Sequence, residues 1–564
     1  MCFPQRVALR MQQQNPASDN LERRPSLWKW TQSARMQVVS CFVSAVVAGS
    51  LLGTGWRSEQ MGWLGVLGIS FFLLGQTRLT RLTWSLCNAF VTGFMAFAIA
   101  CPWLPATARY LAEVGTATSL GLAVVYFAFQ SLGLVLFALF WRAVRRAEQP
   151  AWVLVPVIWV GVEQIIPTLF PWPPAALLTA DLAMIQIAEF GGVHLASMLV
   201  LSIATYFAWT VNELLRLLSG RKFRPQTFGL SLALLLVLLG IRWAGSARIE
   251  QVDAFAALSE GEPLRVGLVQ ADTGFTDSNQ RMIESTRAMQ GLIDLAVWPE
   301  SSLGDYCREL QDFNDPERVA RLSVGEDTQF VPFPEPHCPL LAGADRWDDD
   351  QADGDPDRHF VSALLIDQRE CLVGSREKVR LMPYGEYFPG EFLLPLLRTW
   401  FGNERVITPG DSALPIGPVA GFRLGVLLCC EDMHSDLVRE VVGNGVDCLI
   451  TLGNGMAFDS EIALRQHFRI AQLRSIEHRL SFLRCTSSGV SGLIAPSGRV
   501  CHELPAMQDA AAVIPISKRP SSIGPTLFSR YGSLLPLVIG VLSLFFWVGS
   551  YWRAGGVDAR GITR

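Results

Sequence analysis

The chain has 564 residues, of which 50% are hydrophobic and 17% charged, with a formal net charge of −4 and a mean hydropathy of +0.29. Soluble proteins carry about 25% charged residues, so this composition excludes an ordinary globule and, equally, a disordered, collagenous or coiled-coil chain. With no Lys/Arg-rich block or basic-aromatic strip, it also excludes a nucleic-acid partner.

The average conceals a division. Residues 37–245 hold 19 Asp, Glu, Lys and Arg in 209 positions, whereas the other 355 residues hold 79. Seven apolar runs precede residue 250, at 37–56, 61–77, 82–104, 117–141, 151–170, 184–212 and 226–245, and an eighth lies at 533–551. Most reach the 17–25 residues or so that a helix needs to cross the hydrocarbon core. The second, apolar from Met61 to Gly75, is short, and the sixth is long enough to tilt or to begin in the interface. The run from Leu230 to Gly240 has no polar face to show water, which argues against buried helices of a soluble protein.

Cationic loops stay cytoplasmic. Arg6, Arg10, Arg23, Arg24, Lys29 and Arg35 precede the first run, and Arg78 and Arg81 follow the second. Arg142, Arg145 and Arg146 follow the fourth, and Arg216, Arg221, Lys222 and Arg224 the sixth. Arg553, Arg560 and Arg564 follow the last, while the alternate loops offer only Arg57 and Arg109. The predicted organisation is a cytoplasmic tail over 1–36, seven transmembrane helices over 37–245, an extracytoplasmic domain over 246–530, a final helix over 531–552 and a cytoplasmic tail over 553–564. The first 36 residues are too long and polar for a cleavable signal peptide, so the first run is expected to be retained and Cys2 to be inert. Glu163, Glu189 and His194 fall inside the fifth and sixth runs, where charge is costly. Either they line a polar cavity or make helix contacts, or they lie at span ends near the interface.

Residues 262–516 alternate strand and helix patterns. Strands are expected at 264–270, 295–298, 359–366, 370–374, 422–428, 446–452, 481–484, 489–495 and 511–516, with helices at 278–292 and 460–478. Such alternation predicts an α/β layered domain, large enough to bury its own core. The acidic stretch Asp345–Arg358 invites a calcium-loop reading. Gln351 and Phe360 stand where ligands belong, however, and a solvated loop is expected. No Cys-x-x-Cys and no Cys/His spacing suits zinc, so no metal site is expected. Eight cysteines, Cys307 to Cys501, lie in the domain placed outside, where oxidation is possible; adjacency makes a Cys429–Cys430 bridge awkward.

Three stretches carry chemistry. Val297-Trp-Pro-Glu300 leaves a strand with a carboxylate, Lys378 is followed eight residues on by Glu386, and Leu427-Leu-Cys429 leaves a strand with a thiol. Ligands of open α/β folds gather at the carboxyl ends of strands, so the three can meet. An ammonium lowers a thiol pKa, a carboxylate can accept and return its proton, and the lysine can stabilise an oxyanion. That trio suits acyl transfer through a thioester. Singly, each has a plain reading as a surface Glu, a surface Lys or a buried Cys. His434, five residues after Cys429, is too close in sequence for a spatially assembled cysteine–histidine pair and suits solvation or helix capping.

The motifs extend this reading. Phe170-Pro-Trp172, Ile185-Gln-Ile-Ala-Glu-Phe-Gly-Gly192, Val297-Trp-Pro-Glu300 and Leu381-Met-Pro-Tyr-Gly-Glu-Tyr-Phe-Pro389 occur in order, followed by Leu428-Cys-Cys-Glu431. Gln466 to Glu477, Arg484-Cys-Thr-Ser-Ser-Gly-Val-Ser-Gly492 and Pro525-Thr-Leu-Phe-Ser-Arg-Tyr-Gly532 complete the set. From residue 37 to 552 the chain resembles the apolipoprotein N-acyltransferases, membrane members of the nitrilase (carbon–nitrogen hydrolase) superfamily. The resemblance implies an α-helical multi-pass membrane domain joined to an extracytoplasmic αββα nitrilase-like domain. It implies Glu300 as general base, Lys378 as oxyanion-stabilising cation and Cys429 as nucleophile, with Glu386 and Glu431, the carboxylate two residues after the nucleophile, assisting at the oxyanion.

The resemblance further implies that an acyl chain passes from a membrane phospholipid to Cys429, and then to the α-amino group of a diacylglyceryl-cysteine at the N-terminus of an apolipoprotein. No cofactor is needed, and the enzyme would sit in the bacterial inner membrane with its catalytic domain on the periplasmic side. A membrane-tethered amidase or nitrilase-type hydrolase is the alternative, and a non-catalytic interaction platform a further one. Four departures bear on the shape of the pockets. Cys430 replaces an aromatic, and Asn454-Gly-Met-Ala-Phe458 replaces Asn-Asp-Ala-Trp-Phe. Phe360-Val-Ser-Ala363 stands for Tyr-Asn-Ser-Ala, and Ile166 for an arginine.

Overall fold

The computed structural model describes residues 34–111, 113–145, 151–166, 168, 170–220, 225–258, 261–272, 275–303, 305–307, 338–348, 358–369, 371–383, 385–387, 407–519 and 522–561. The N-terminal tail, residues 349–357 of the acidic stretch and several loop cations, Arg221, Lys222 and Arg224 among them, lie outside the described residues.

The apolar runs become helices α1 (Ala34–Arg57), α2 (Gly62–Arg78), α3 (Leu82–Ala100) and α4 (Leu104–Leu111), then α5 (Thr116–Arg145), α6 (Val155–Glu163), α7 (Ala188–Leu218) and α8 (Pro225–Ala257). Among the described residues, five helices are long and apolar enough to cross a membrane, falling within α1, α3, α5, α7 and α8. Their outward sides carry exposed Val, Leu and Phe, such as Val43, Val125 and Leu236, the surface a lipid solvent tolerates and water does not. The run 151–170 does not make one long helix. It opens with a turn at Ala151–Leu154, continues as the nine-residue α6, and its helix ends at Glu163. Helix α8 runs on to Ala257.

Two of the charged residues within these runs have protein partners. Glu163 accepts from Trp159 Nε1 at 3.0 Å. Glu189 lies between Arg248 (2.9 Å) and Arg479 (2.8 Å), so it is a structural contact with the second domain.

That domain is two sheets face to face. The first runs β13-β1-β2-β4-β5-β6, with β3 also paired to β4, using β1 (Leu264–Gln270), β2 (Leu295–Val297), β3 (Asp305–Cys307), β4 (Leu340–Asp348), β5 (Arg358–Ile366), β6 (Leu372–Glu377) and β13 (Ala510–Ile516). The second runs β12-β11-β10-β9-β8-β7, from β7 (Ile416–Val419), β8 (Phe422–Leu428), β9 (Cys448–Asn454), β10 (Phe482–Ser487), β11 (Gly492–Ile494) and β12 (Val500–Glu503). Val266, Leu268, Val297, Leu341 and Ala363 pack between the sheets against Leu424, Val426, Leu428, Ile450 and Leu483. These strands are buried on both faces, which is why they read as continuous apolar runs.

Helix α9 (Phe275–Ala288) covers one outer face through Met282 and Ile283. Helices α10 (Ser435–Gly443) and α11 (Glu461–His478) cover the other. This is an αββα sandwich joined to a helical membrane domain. After it come α12 (Leu527–Tyr531) and α13 (Leu534–Gly561).

The expectation of a solvated loop over Asp345–Arg358 is corrected at both ends. Asp345–Asp348 belong to β4 and Arg358 opens β5, the two pairing antiparallel from Leu340↔Ile366 to Asp348↔Arg358. Alternation along Leu340-Leu-Ala-Gly-Ala-Asp-Arg-Trp-Asp is poor, and it is tertiary pairing that fixes the strand.

Helix α11 is buried on both sides, and one continuous apolar core runs from Ala48 of α1 through Phe468 and Ile476 to Ile494 of β11. Polar bonds cross the seam within it. Gln466 Nε2 donates to the carbonyls of Trp56 (3.1 Å) and Ala100 (2.8 Å), while its oxygen accepts from Trp103 Nε1 (3.0 Å). Gly191 and Gly192 interrupt α7, and Gly192 has φ of +67°. A Cβ there would lie 2.4 Å from a Phe528 ring carbon. The break aims the Val193 N–H at Glu477 Oε1, 2.6 Å away.

Candidate active site

The ends of β2 and β8 lie at one edge of the sandwich, since Glu300, just beyond β2, bonds the end of β9, which pairs parallel to β8. Beyond β2 the chain turns at Trp298-Pro-Glu300, and Ser301 follows in the left-handed region (φ +55°). The Glu300 N–H donates to Gly453 O of β9 at 3.3 Å. Gly343 of β4 makes room for this, since a Cβ on it would lie 2.5 Å from Glu300 Cα. Beyond β8, Cys429 also adopts positive φ (+48°) as it opens a short turn through Met433. Strain of this kind is tolerated where surrounding structure enforces it, and it gathers at functional sites.

Lys378, directly after β6, is fully buried, and its Nζ donates to Glu300 Oε1 (3.1 Å) and Glu386 Oε1 (2.5 Å). The second Glu386 oxygen accepts from the Met382 N–H at 2.7 Å. Burial alone pulls the Lys378 ammonium down, but the two carboxylates outweigh it and hold it well above the ordinary lysine value. Glu300, 8% exposed, is driven well above the carboxylate range by burial and by the charge of Cys429, with Lys378 opposing. Cys429 moves the other way. A hydrogen bond from the Cys430 thiol, then Lys378 and His467, bring it well below an ordinary thiol against the cost of burial. These opposite shifts favour a thiolate on Cys429 with the proton on the neighbouring carboxyl.

Cys430 behaves differently from its neighbour. Its thiol lies in the apolar core and donates to Arg380 O (3.7 Å); its bond to Cys429 and burial push its pKa well above the ordinary value.

Glu431 is fully buried with both oxygens occupied. Oε1 accepts from the N–H groups of Val379 (2.6 Å) and Arg380 (3.2 Å), and Oε2 from Leu428 N (2.8 Å) and Arg376 Nη1 (2.7 Å). It fastens the segment after Lys378 to the turn that carries Cys429, and thus positions both.

Sequence reasoning missed the network behind that turn. Fully buried Asp432 accepts from Arg484, from His467 Nε2 (2.6 Å) and from Thr451 Oγ1 (3.3 Å). Burial raises its carboxyl, and Arg484 and His467 outweigh that to hold it below the usual range. An acidic residue after Cys-Cys-Glu and a histidine in Gln466-His-Phe-Arg are visible in the chain, but only the fold brings them together. His434 stands at the start of α10 and makes no side-chain capping bond there. Among the described residues no cluster of His, Cys, Asp and Glu could hold a metal ion, and Cys338, Cys371, Cys429, Cys430, Cys448, Cys485 and Cys501 are free thiols.

Comparison with known proteins places this arrangement. Residues 48–206 match the family model for the apolipoprotein N-acyltransferase N-terminal domain, and residues 265–517 that for the carbon–nitrogen hydrolases. An apolipoprotein N-acyltransferase of Geobacter metallireducens is 27% identical over 515 residues, which is 87% of this chain and 92% of that protein. The protein of the same name from Pseudomonas aeruginosa is 27% identical over 531 residues, 90% of this chain and 96% of that one. Among solved structures, an amidase of the nitrilase superfamily from Nesterenkonia AN1 aligns at 16% identity over 48% of this chain and 94% of its own, with a TM-score of 0.31. With both domain matches in order and the relatives spanning nearly the whole length, the chain is similar from end to end to the apolipoprotein N-acyltransferases, with a carbon–nitrogen hydrolase domain following the helical one.

Proposed function

We propose that this chain is a phospholipid:apolipoprotein N-acyltransferase of the bacterial inner membrane, working by a ping-pong thioester mechanism with Glu300, Lys378 and Cys429 as its catalytic residues. The observation that carries the reading is the buried Lys378 ammonium bonded to both Glu300 and Glu386 beside a thiol of depressed pKa.

In the first half-reaction Cys429 Sγ attacks the ester carbonyl of a phospholipid while Glu300 holds the thiol proton. The oxyanion of the tetrahedral intermediate is stabilised by Lys378 Nζ, which Glu386 keeps in place. As the ester C–O bond breaks, Glu300 returns the proton to the departing alkoxide, and a lysophospholipid leaves. In the second, the free α-amino group of a lipid-modified N-terminal cysteine attacks the thioester carbon and gives its proton to Glu300. The C–S bond then breaks, restoring the thiolate and leaving an N-acylated lipoprotein. The acyl group arrives as an ester, so the chemistry calls for no cofactor. Both substrates are anchored in the bilayer, which fits a site whose supporting helix α11 rests on the membrane helices.

In the proposed topology both termini are cytoplasmic and the sandwich is periplasmic. The test incubates purified protein with phospholipid and a diacylglyceryl peptide. The expected products are N-acyl peptide and lysophospholipid in equal amounts, abolished in Cys429→Ala. Free fatty acid without N-acyl peptide would assign the site to a hydrolase instead.

A further inference from the structure

A pocket opens at the seam between α11 and the ends of the apolar helices, walled by Trp56, Trp103, Phe170, Trp172, Gln466 and Arg469. Two of these are satisfied, since Gln466 bonds Trp103 and the Trp56 and Ala100 carbonyls. Three N–H donors are not. Trp56 Nε1, Trp172 Nε1 and Arg469 Nε are buried with no acceptor among the described residues. Trp56 is 7% and Arg469 5% exposed, and a buried donor left unmatched costs about 1–3 kcal/mol.

Arg469 donates through Nη1 to Trp56 O (3.2 Å), but among the described residues no carboxylate lies within ion-pairing distance. Glu59 pulls on it from farther away and Arg465 repels it, while Arg465 is itself paired with Glu461 and Glu503. Burial brings the guanidinium down to about 10, so it remains a cation that lacks solvation. Positive charge, unmatched donors and aromatic rings thus gather around the pocket, which suits an oxyanion on an apolar carrier.

Its place narrows the occupant. Trp56 is in the last turn of α1, and the Ala100 carbonyl ends α3, so the pocket lies where hydrocarbon gives way to headgroups. It also adjoins the catalytic residues. The Phe170 ring packs 5.3 Å from Phe458 and 6.2 Å from His467, and His467 bonds Asp432 and adds, after Cys430 and Lys378, to the lowering of the Cys429 pKa.

We propose that this seam pocket binds the phosphate oxyanion of the glycerophospholipid acyl donor through Arg469 and the Trp56 and Trp172 indole N–H groups, so that the ester is presented to Cys429. This rests on the phospholipid donor proposed above.

The experiment uses the full chain in neutral detergent micelles and follows Cys429 acylation from phosphatidylethanolamine and from a diacylglycerol of the same chains, which keeps the esters and lacks the phosphate. The wild type is expected to prefer the phospholipid. Arg469→Gln is expected to narrow that preference roughly ten-fold or more, as loss of one charge-assisted bond implies, through KM rather than kcat. Arg469→Lys is expected to recover part of it. Trp56→Phe, which keeps the ring and loses the N–H, should narrow it by about 2–5-fold. Unfolding temperatures of the variants identify any that fail to fold. Equal effects of Arg469→Gln on both donors, or on neither, would overturn the proposal. Inorganic phosphate that blocks acylation from both donors alike would assign the pocket to a free anion and overturn it too. A wild type that acylates from neither donor defeats the thioester reading itself, whereas one that uses both equally well defeats only the headgroup site.

Discussion

Lys378 illustrates how one buried cation organises the site. Without partners, a fully buried ammonium is strongly disfavoured, and Glu300 and Glu386 compensate it. In the proposed mechanism that arrangement places positive charge where the oxyanion would form and where the thiolate would be held. Replacing Lys378 with Met removes one of the groups that stabilise the thiolate, after the Cys430 hydrogen bond, so the Cys429 pKa rises. At neutral pH, alkylation of Cys429 should then slow about ten-fold for each unit of the rise, and its pH midpoint should move upward. An unchanged midpoint would mean that Lys378 does not set the thiol. The trio was legible because each member closes a strand or a strand-adjacent motif, and strand ends are where such folds collect ligands. Asp432, His467, Arg484 and Arg469 were not, since each reads alone as a surface or helix residue. Their meaning comes from burial, which no spacing in the chain displays.

At the scale of elements, α11 decides the architecture. One face packs on the second sheet and the other receives the ends of α1 and α3 and the broken start of α7. Gly192→Ala would force a Cβ into the Phe528 ring at a φ that L residues avoid. It is expected to cost at least about 2 kcal/mol, seen as a lower unfolding temperature and as lost activity through displacement of Glu477; wild-type stability would contradict this packing. The long helices and the doubly buried strands β1, β5, β8 and β9 were readable from apolar periodicity and length. Strand β4 was not, because its acidic end resembles a loop and only pairing with β5 reveals it. The run 151–170 reads as one span from hydropathy alone, whereas its helix stops at Glu163.

At the scale of the molecule, the account places the sandwich outside the cytoplasm and the loop between α7 and α8 inside. A membrane-impermeant maleimide applied to intact spheroplasts should label the exposed Cys501. In a Ser219→Cys variant the introduced thiol, just after α7, should be labelled only after permeabilisation. The reverse pattern would invert the topology and separate the site from its proposed substrates.

The central claim is that Cys429 carries the acyl chain. The most direct measurement is intact mass spectrometry of the wild type and Cys429→Ala after exposure to a phospholipid of defined chains, without acceptor. The account predicts a mass increase of one acyl group in the wild type, mapped to Cys429, removed by hydroxylamine and absent from the variant. No adduct, or an equal adduct on both proteins, would contradict it.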